Sequence, residues 1–209
     1  MKKYKFILIL IFFIWFVISF VTNILGPMIP MIITDFRLSL TLAAFLPFSF
    51  FLAYGIMSIP AGMMIERYGG KVSLLIAFSF TFAGSLLFVL FPSYGIVLSS
   101  LFIIGAGMAM LQVIILPLMR EAGGERNYAF NTVLAQLVFG AASFISPFVF
   151  TGLLQRLSEK NTVDTVFIGL LKKLIPENML WCSMYVIFVV VFVVMLMIIA
   201  QVKFPKVVL

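Results

Sequence analysis

The sequence predicts an all-α membrane protein built from six transmembrane helices. Hydrophobic residues make up 64% of its 209 residues and charged residues only 10%, whereas soluble domains are about half apolar and about a quarter charged. Six apolar stretches are each long enough to cross a bilayer. These stretches are continuous rather than alternating, which favours helices over the strands of a membrane barrel. Lipid is therefore the expected solvent of this chain.

The six predicted helices are separated by short polar segments. They cover about residues 6–33, 41–65, 72–91, 94–119, 128–154 and 177–201, in one bundle that comprises residues 1–209. The first apolar stretch is longer than the core of a signal peptide, so we interpret it as a helix of the bundle. Pro92 and Ser93 predict a tight turn before the fourth helix, and residues 155–176 form the longest predicted loop. Trp181, near the start of the sixth helix, is expected to anchor that helix at the membrane surface.

The lysines and arginines predict how the helices are oriented in the membrane. If the N-terminus lies inside, nine of the 14 basic residues fall in inner segments and five in outer segments. Because basic residues are retained on the cytoplasmic side, both termini are expected in the cytoplasm, with a bacterial cytoplasmic membrane around the helices. The same distribution accounts for the net charge of +7, so no nucleic-acid partner is expected.

The side chains available for chemistry argue against an enzyme. The sequence has no histidine, which excludes a histidine-ligated metal site, and neither a metal nor another cofactor is expected. Its single cysteine, Cys182, cannot form an internal disulfide and is expected to pack within a helix. No Asp, Glu, Lys or Arg lies well inside a predicted helix, so the sequence offers no charged general acid or base at membrane depth.

Three of the predicted helices carry polar or small residues along one side. The spacing of three or four residues within each set places its members in a single stripe. The stripes are Ser19, Asn23, Gly26 and Pro30 in the first helix, Gly105, Ala109 and Gln112 in the fourth, and Thr132, Gln136, Gly140 and Ser143 in the fifth. The amides of Asn23, Gln112 and Gln136 can donate and accept hydrogen bonds, which makes them candidates for binding a solute. Alternatively they bridge helices, an interaction worth about 0.6 to 2 kcal/mol.

A charged decapeptide follows the second predicted helix: Gly62-Met63-Met64-Ile65-Glu66-Arg67-Tyr68-Gly69-Gly70-Lys71. It resembles the G-x-x-x-D-R-x-G-R-K signature found at this place in the major facilitator superfamily of secondary transporters. Four positions match, whereas Glu66 replaces the aspartate and Gly70 replaces an arginine. The resemblance implies that Gly62, Glu66, Arg67, Gly69 and Lys71 lock and release an inner gate. The alternative is that Arg67 and Lys71 only set the topology.

Shorter motifs resemble the fucose-permease group of sugar transporters within that superfamily. They are Asn-Ile-Leu-Gly-Pro at 23–27, Ser-Ile-Pro-Ala-Gly at 58–62, Leu-Gln-Val-Ile-Ile-Leu-Pro at 111–117, Leu-Ala-Gln at 134–136 and Lys-Phe-Pro at 203–205. The resemblance covers nearly the whole chain but only the amino-terminal half of such a transporter. It implies one half of a major facilitator fold, in which the first, fourth and fifth helices line a central cavity.

The resemblance also implies a function, the transport of a small polar solute by alternating access, with a sugar as the expected class. Tyr54 then joins Asn23, Gln112 and Gln136 as a candidate for contact with the sugar, since an aromatic ring can stack on a sugar ring. Packing is the alternative role for Tyr54. The alternative function is that of a membrane module or remnant that does not transport and pairs with another membrane protein.

One departure separates this chain from proton-coupled members of the fucose-permease group. Those members carry carboxylates in the first and fourth helices, where this chain has Asn23 and Gln112. An amide does not take up and release a proton near neutral pH, so the resemblance does not extend to proton coupling through this half. Transporters of the superfamily have two six-helix repeats. The expected partner is therefore a second six-helix half, either another copy of this chain or a carboxy-terminal half.

Overall fold

A computed structural model describes residues 2–158, 166–175 and 177–205, and most of these residues are helical. The α-helices are α1 (Lys2–Phe36), α2 (Leu40–Leu90), α3 (Tyr94–Gly123), α4 (Tyr128–Ser158), α5 (Val166–Leu174) and α6 (Ser183–Gln201). Two 3-10 helices, Glu125–Asn127 and Glu177–Cys182, precede α4 and α6. No strand occurs in the described ranges, in agreement with the predicted all-α class.

Five helical segments of the described chain are long and apolar enough to cross a membrane. They are Tyr4–Phe36, Leu40–Leu90, Tyr94–Gly123, Glu125–Ser158 and Met179–Gln201. Such a set of apolar helices is characteristic of an integral membrane protein. One of the five, α2, has 51 residues and covers both the second and the third predicted helix.

The long helix α2 contains a sharp reversal at Gly69. A straight helix of 51 residues would measure about 76 Å, more than twice the apolar thickness of a bilayer. Gly69 has φ 75° and ψ 168°, a conformation that residues with a β-carbon rarely adopt. Ser73 Oγ donates a hydrogen bond to the carbonyl of Met64 at 3.1 Å, although nine residues of straight helix would separate the two residues by about 13 Å. The chain therefore folds back into two arms, residues 40–68 and 70–90.

Contacts between distant parts of the sequence define two ends of the bundle. At one end, which we call the Lys71 end, Lys71 Nζ donates a hydrogen bond to the carbonyl of Ala200 at 2.6 Å. This contact joins the reversal of α2 to the end of α6. At the opposite end, which we call the Trp181 end, the indole of Trp181 donates to the carboxylate of Asp35. This contact joins the residues before α6 to the end of α1.

Trp181 is fully buried, so the prediction that it anchors the sixth helix at the membrane surface is wrong. Its ring meets Phe36 and Phe88 edge-on, at centroid distances of 5.9 and 5.5 Å. A buried indole is favourable when its N–H finds an acceptor, and Asp35 supplies that acceptor. The two residues are 146 positions apart, so local sequence patterns could not reveal the contact.

Part of residues 155–176 is helical, so the prediction that this whole segment is a loop is wrong. α4 continues to Ser158, and α5 forms a further short helix from Val166 to Leu174. Ile168 and Leu171 in α5 and Ile175 directly after it are buried, and their spacing of three and four residues places them on one side of the segment. That side packs on the bundle. A segment of only nine residues is too short to be recognised as a membrane helix from its hydropathy.

α3 is the most buried of the long helices, because it lies between the two arms of α2. Every residue from Ile104 to Leu111 is buried. Gly105 lies directly against the backbone of Phe50 in the first arm, and a β-carbon on Gly107 would lie 2.8 Å from the carbonyl oxygen of Ala77 in the second arm. Small residues allow membrane helices to approach this closely, and the resulting dispersion contacts hold the helices together in lipid.

The remaining helices pack in pairs through aromatic side chains. α1 contacts α4 where Trp15 meets Phe139 edge-on at 5.8 Å. α6 contacts the second arm of α2 where Tyr185 stacks on Phe88 with ring centroids 3.8 Å apart. These contacts bury one side of α6, including Phe192, while its other side stays exposed.

Two helices present wide apolar faces that no other described helix covers. On α4, five large side chains are between 65% and 71% exposed: Phe130, Val133, Leu137, Phe144 and Phe148. On the first arm of α2, five more are between 53% and 73% exposed: Phe48, Phe51, Ile56, Ile59 and Met63. Lipid or a second membrane unit can cover such faces, whereas water cannot do so without cost.

Candidate functional site

Two of the four predicted solute-binding residues meet near the middle of their helices. Tyr54, in the first arm of α2, donates a hydrogen bond from its hydroxyl group to Oε1 of Gln112 in α3. Both side chains are half-buried. The contact occupies the amide oxygen of Gln112 and leaves its nitrogen, with two donor hydrogens, without a partner among the described residues.

Aromatic rings surround this contact on the side of α2. The ring of Tyr54 lies 5.9 Å from that of Phe50 and 6.5 Å from that of Phe51, measured between centroids. Binding sites for small molecules commonly combine apolar and aromatic walls with a few polar groups that orient the ligand. The free donor of Gln112 beside these rings has that character.

Asn23 uses its amide nitrogen within α1. Its Nδ2 donates a hydrogen bond to the carbonyl of Ser19 at 2.8 Å and lies 3.4 Å from the Ser19 hydroxyl oxygen. Ser19 is fully buried, and its own hydroxyl donates to the carbonyl of Phe139 in α4 at 2.6 Å. The bridge between α1 and α4 is therefore made by Ser19, while the amide oxygen of Asn23 has no partner in the described part of the chain.

Gln136 stands apart from the other candidates. It is exposed on α4, and no hydrogen bond joins it to Tyr54, Asn23 or Gln112. The glycines of its own stripe and of the Asn23 stripe border open space, because a β-carbon on Gly140 or Gly26 would meet no atom within 4 Å. Apart from the buried Ser19, the structure thus places the polar stripes of α1 and α4 along surfaces that a ligand or a second unit can reach.

The decapeptide that was predicted to form a gate lies at the Lys71 end, where α2 reverses. Gly69 makes the reversal, and Lys71 joins it to the end of α6 through the Ala200 carbonyl. A lysine is favourable there because the last carbonyls of a helix carry partial negative charge. Glu66 and Arg67 are both exposed, and the Arg67 guanidinium lies 5.4 Å from the centre of the Tyr68 ring.

The charges of the decapeptide are not paired within the described chain. The only ion pair among the described residues joins Arg120 to Glu125, so neither Glu66 nor Arg67 takes part in one.

Gly62, the first glycine of the decapeptide, borders open space. Gly70, at the position of the family's second arginine, is buried, and a β-carbon there would lie 2.7 Å from Leu118 Cδ2.

The structure shows contacts that residue types and spacing in the sequence do not indicate. The acceptors at Phe139 and Ala200 are backbone carbonyls, which every residue has, so no residue type marks them in a sequence.

Among the described residues, no group of three or more Cys, Asp and Glu side chains is placed to hold a metal ion.

Comparisons with known proteins agree with the fold and with the character of these helices. The sequence model of the Major Facilitator Superfamily matches residues 11–207. A glucose/galactose transporter of Brucella abortus is 30% identical over 152 residues, which cover 70% of this chain and 36% of that protein.

Solved structures show the same fold. The fucose:proton symporter of E. coli superposes with a TM-score of 0.67 at 22% identity, over 95% of this chain and 50% of the symporter. A Major Facilitator Superfamily transporter, FucP, in the outward conformation, superposes with a TM-score of 0.75 at 21% identity, over 98% of this chain and 51% of the transporter. The chain therefore spans about half the length of these structures and about a third of the Brucella protein. The resemblance to the fucose-permease group is confirmed at the level of the fold.

Proposed function

The chain belongs to the Major Facilitator Superfamily, and we propose that it forms one half of a secondary transporter that moves a sugar across a membrane by alternating access. The similar proteins support this proposal, because one is a glucose/galactose transporter and another a fucose:proton symporter. The contact between Tyr54 and Gln112 carries it within this chain. It holds an amide donor beside aromatic rings, near the middle of two membrane helices.

The chemistry of this site suits an uncharged solute with hydroxyl groups. Gln112 Nε2 can donate to a sugar oxygen, and the Asn23 amide oxygen can accept from a sugar hydroxyl. Neither side chain changes its charge with pH. Any coupling to protons would consequently depend on groups other than these two amides.

We further propose that the chain crosses the membrane six times. The two arms of α2 are about 43 and 31 Å long, so each can cross a bilayer separately. Together with α1, α3, α4 and α6 they make six crossings. The Lys71 end then contains the start of α1 and the end of α6, and the excess of basic residues in the segments predicted to lie inside supports a cytoplasmic location for this end.

A pair of single cysteines tests this orientation. In a variant whose buried native thiol is removed by Cys182→Ser, cysteine placed at the exposed Ser158 should react with an impermeant thiol reagent in intact cells. Cysteine at the exposed Glu125 should react only after the membrane is opened. The two sites lie at opposite ends of α4, so the opposite labelling pattern would invert the topology.

A second six-helix half is part of the proposal. The uncovered polar stripes of α1 and α4 and the apolar face of α4 need a covering surface, since unpaired amides are costly in lipid. The unpaired charges of Glu66 and Arg67 could then close a gate at the Lys71 end, together with Gly62, Gly69 and Lys71. Another copy of this chain or a carboxy-terminal half would serve as the second half.

Sugar counterflow in proteoliposomes tests the transport function, because counterflow needs no coupling ion. The purified chain is separated by size into preparations with one and with two six-helix units, and labelled glucose, galactose and fucose are offered with L-glucose as a leak control. We expect saturable counterflow only where two units are present. Saturable counterflow by a stable single unit would disprove the need for two halves. Absence of both sugar binding and counterflow in a two-unit preparation would favour the non-transporting membrane module.

A further inference from the structure

Two hydrogen bonds to backbone carbonyls set the register between the first arm of α2 and α3. Ser49 Oγ donates to the carbonyl of Leu98, and the hydroxyl of Tyr94 donates to the carbonyl of Leu42, each at 2.8 Å. Along both helices these contacts follow the same order, so the first arm and α3 run parallel. No side-chain rotation moves a backbone carbonyl, and the helices therefore cannot slide past each other without breaking these bonds.

This register brings the side chain of Tyr54 to that of Gln112. Gly105 lies against the backbone of Phe50, and the two polar residues follow about one turn after Phe50 and two turns after Gly105, in the same direction. The ring of Tyr54 packs against the rings of Phe50 and Phe51. The tyrosine hydroxyl is consequently held at a fixed place beside the amide.

The Tyr54 hydroxyl determines which end of the Gln112 amide is free. The hydroxyl has one hydrogen to donate, and the acceptor it contacts among the described residues is Gln112 Oε1. In an amide the oxygen only accepts and the nitrogen only donates. With the oxygen occupied by Tyr54, the nitrogen points away from the tyrosine.

A solute can reach this nitrogen. The amide nitrogen of Asn131 is buried without a partner, but Nε2 of Gln112 is not enclosed in this way, although it too has no hydrogen-bond partner in the described part of the chain. A polar group that stays accessible between membrane helices is available to a ligand at little cost of rearrangement.

We propose that Tyr54 is a positioning residue that determines the specificity of the solute site. Its hydroxyl keeps the amide oxygen of Gln112 occupied, so that Gln112 offers only donor hydrogens to the solute. This inference rests on the proposed transport of a sugar and names the feature of the sugar that is selected. The group opposite Gln112 must be an oxygen that accepts a hydrogen bond.

The selection works against amino sugars. A protonated amine at the place of the accepting hydroxyl has only hydrogens to offer, and these would face the hydrogens of Gln112 Nε2. The final torsion of a glutamine side chain is broad and roughly twofold, so the amide can turn once Tyr54 no longer holds its oxygen. In Tyr54→Phe the oxygen can therefore accept from the amine.

The test begins by locating the sugar hydroxyl that faces Gln112. Glucose and its monodeoxy derivatives compete with labelled glucose for binding to a preparation that contains both halves, in the unmodified chain and in Gln112→Leu. One hydroxyl should contribute to binding in the unmodified chain and contribute nothing in Gln112→Leu. That hydroxyl is the one that accepts from the amide.

Glucose with an amine in place of this hydroxyl is then compared with glucose, at a slightly acidic pH that keeps the amine protonated. We expect the unmodified chain to prefer glucose roughly 10- to 100-fold, as for one hydrogen bond to a charged group. Tyr54→Phe should reduce this preference by a factor of roughly five or more, while its affinity for glucose changes less than about threefold. The preference is a ratio within each variant, so a general loss of affinity or of folded protein cancels.

Tyr94→Phe is the matched control. It also removes a tyrosine hydroxyl that joins α3 to the first arm, but one that donates to the carbonyl of Leu42. Its preference for glucose should equal that of the unmodified chain.

Several results would overturn the role of Tyr54. An unchanged preference in Tyr54→Phe, or an equal change in Tyr94→Phe, would show that the hydroxyl does not orient the amide. A lower affinity for glucose with an unchanged preference would mean that Tyr54 contacts the sugar directly. If no hydroxyl depends on Gln112, the amide donates no hydrogen bond to the solute. These results presuppose that the unmodified chain binds glucose, and they leave the proposed function standing. Absence of all sugar binding by the unmodified chain would reject the proposed function and this inference together.

Discussion

Replacing Gly105 with alanine is expected to destabilise the bundle by about 2 to 3 kcal/mol, because no space exists for a methyl group between α3 and α2. A β-carbon there would lie 3.0 Å from the carbonyl carbon and 3.1 Å from the Cα of Phe50, and closer still to the carbonyl oxygen. These are backbone atoms, so a change of rotamer cannot relieve the clash and the helices must move apart. The midpoint of thermal unfolding of the purified chain in a mild detergent measures the effect.

Gly140→Ala is the matched control for that experiment. Gly140 lies in α4, and a β-carbon there would meet no atom within 4 Å. Alanine also favours helix over glycine by up to about 1 kcal/mol, so this variant should be as stable as the unmodified chain or more stable. Equal losses of stability for Gly105→Ala and Gly140→Ala would contradict the close approach of α3 to the first arm of α2.

Replacing Gln112 with leucine is expected to weaken sugar binding roughly 10- to 100-fold in a preparation that contains both halves. This range corresponds to about 1 to 3 kcal/mol, which is typical when a buried hydrogen bond to a ligand is lost. Equilibrium binding of labelled sugar measures the change. The prediction rests on the free amide nitrogen of Gln112, since the oxygen already accepts from Tyr54.

The double variant Tyr54→Phe with Gln112→Leu separates the two roles of this contact. In Gln112→Leu alone the Tyr54 hydroxyl loses its acceptor, which can lower stability as well as affinity. The double variant removes both polar groups, so its thermal stability should recover while its affinity stays low. If the double variant recovers its sugar affinity together with its stability, Gln112 acts through packing. An unchanged affinity in Gln112→Leu alone would lead to the same conclusion.

The sequence alone determined the class of this protein and the approximate place of its membrane helices. Long apolar runs require no knowledge of the fold, because each residue adds to the hydropathy of its own segment. The decapeptide at 62–71 and the short motifs around Asn23 and Gln112 led to the superfamily in the same local way. The stripes of α1, α3 and α4 followed from helical periodicity, which tells which residues of a helix share a side.

Only the tertiary structure decided which side chains meet. Tyr54 and Gln112 are 58 positions apart, and periodicity places each on a face without identifying the helix opposite. For the same reason the sequence could not show that Ser19, rather than Asn23, bridges α1 and α4, or that Trp181 is buried against Asp35 instead of facing lipid headgroups. Any apolar side of a helix can contact lipid, so hydropathy does not distinguish a side that faces lipid from a side that faces another helix. The partners are therefore determined by close packing and by the hydrogen bonds of buried polar groups such as Ser19 and Trp181.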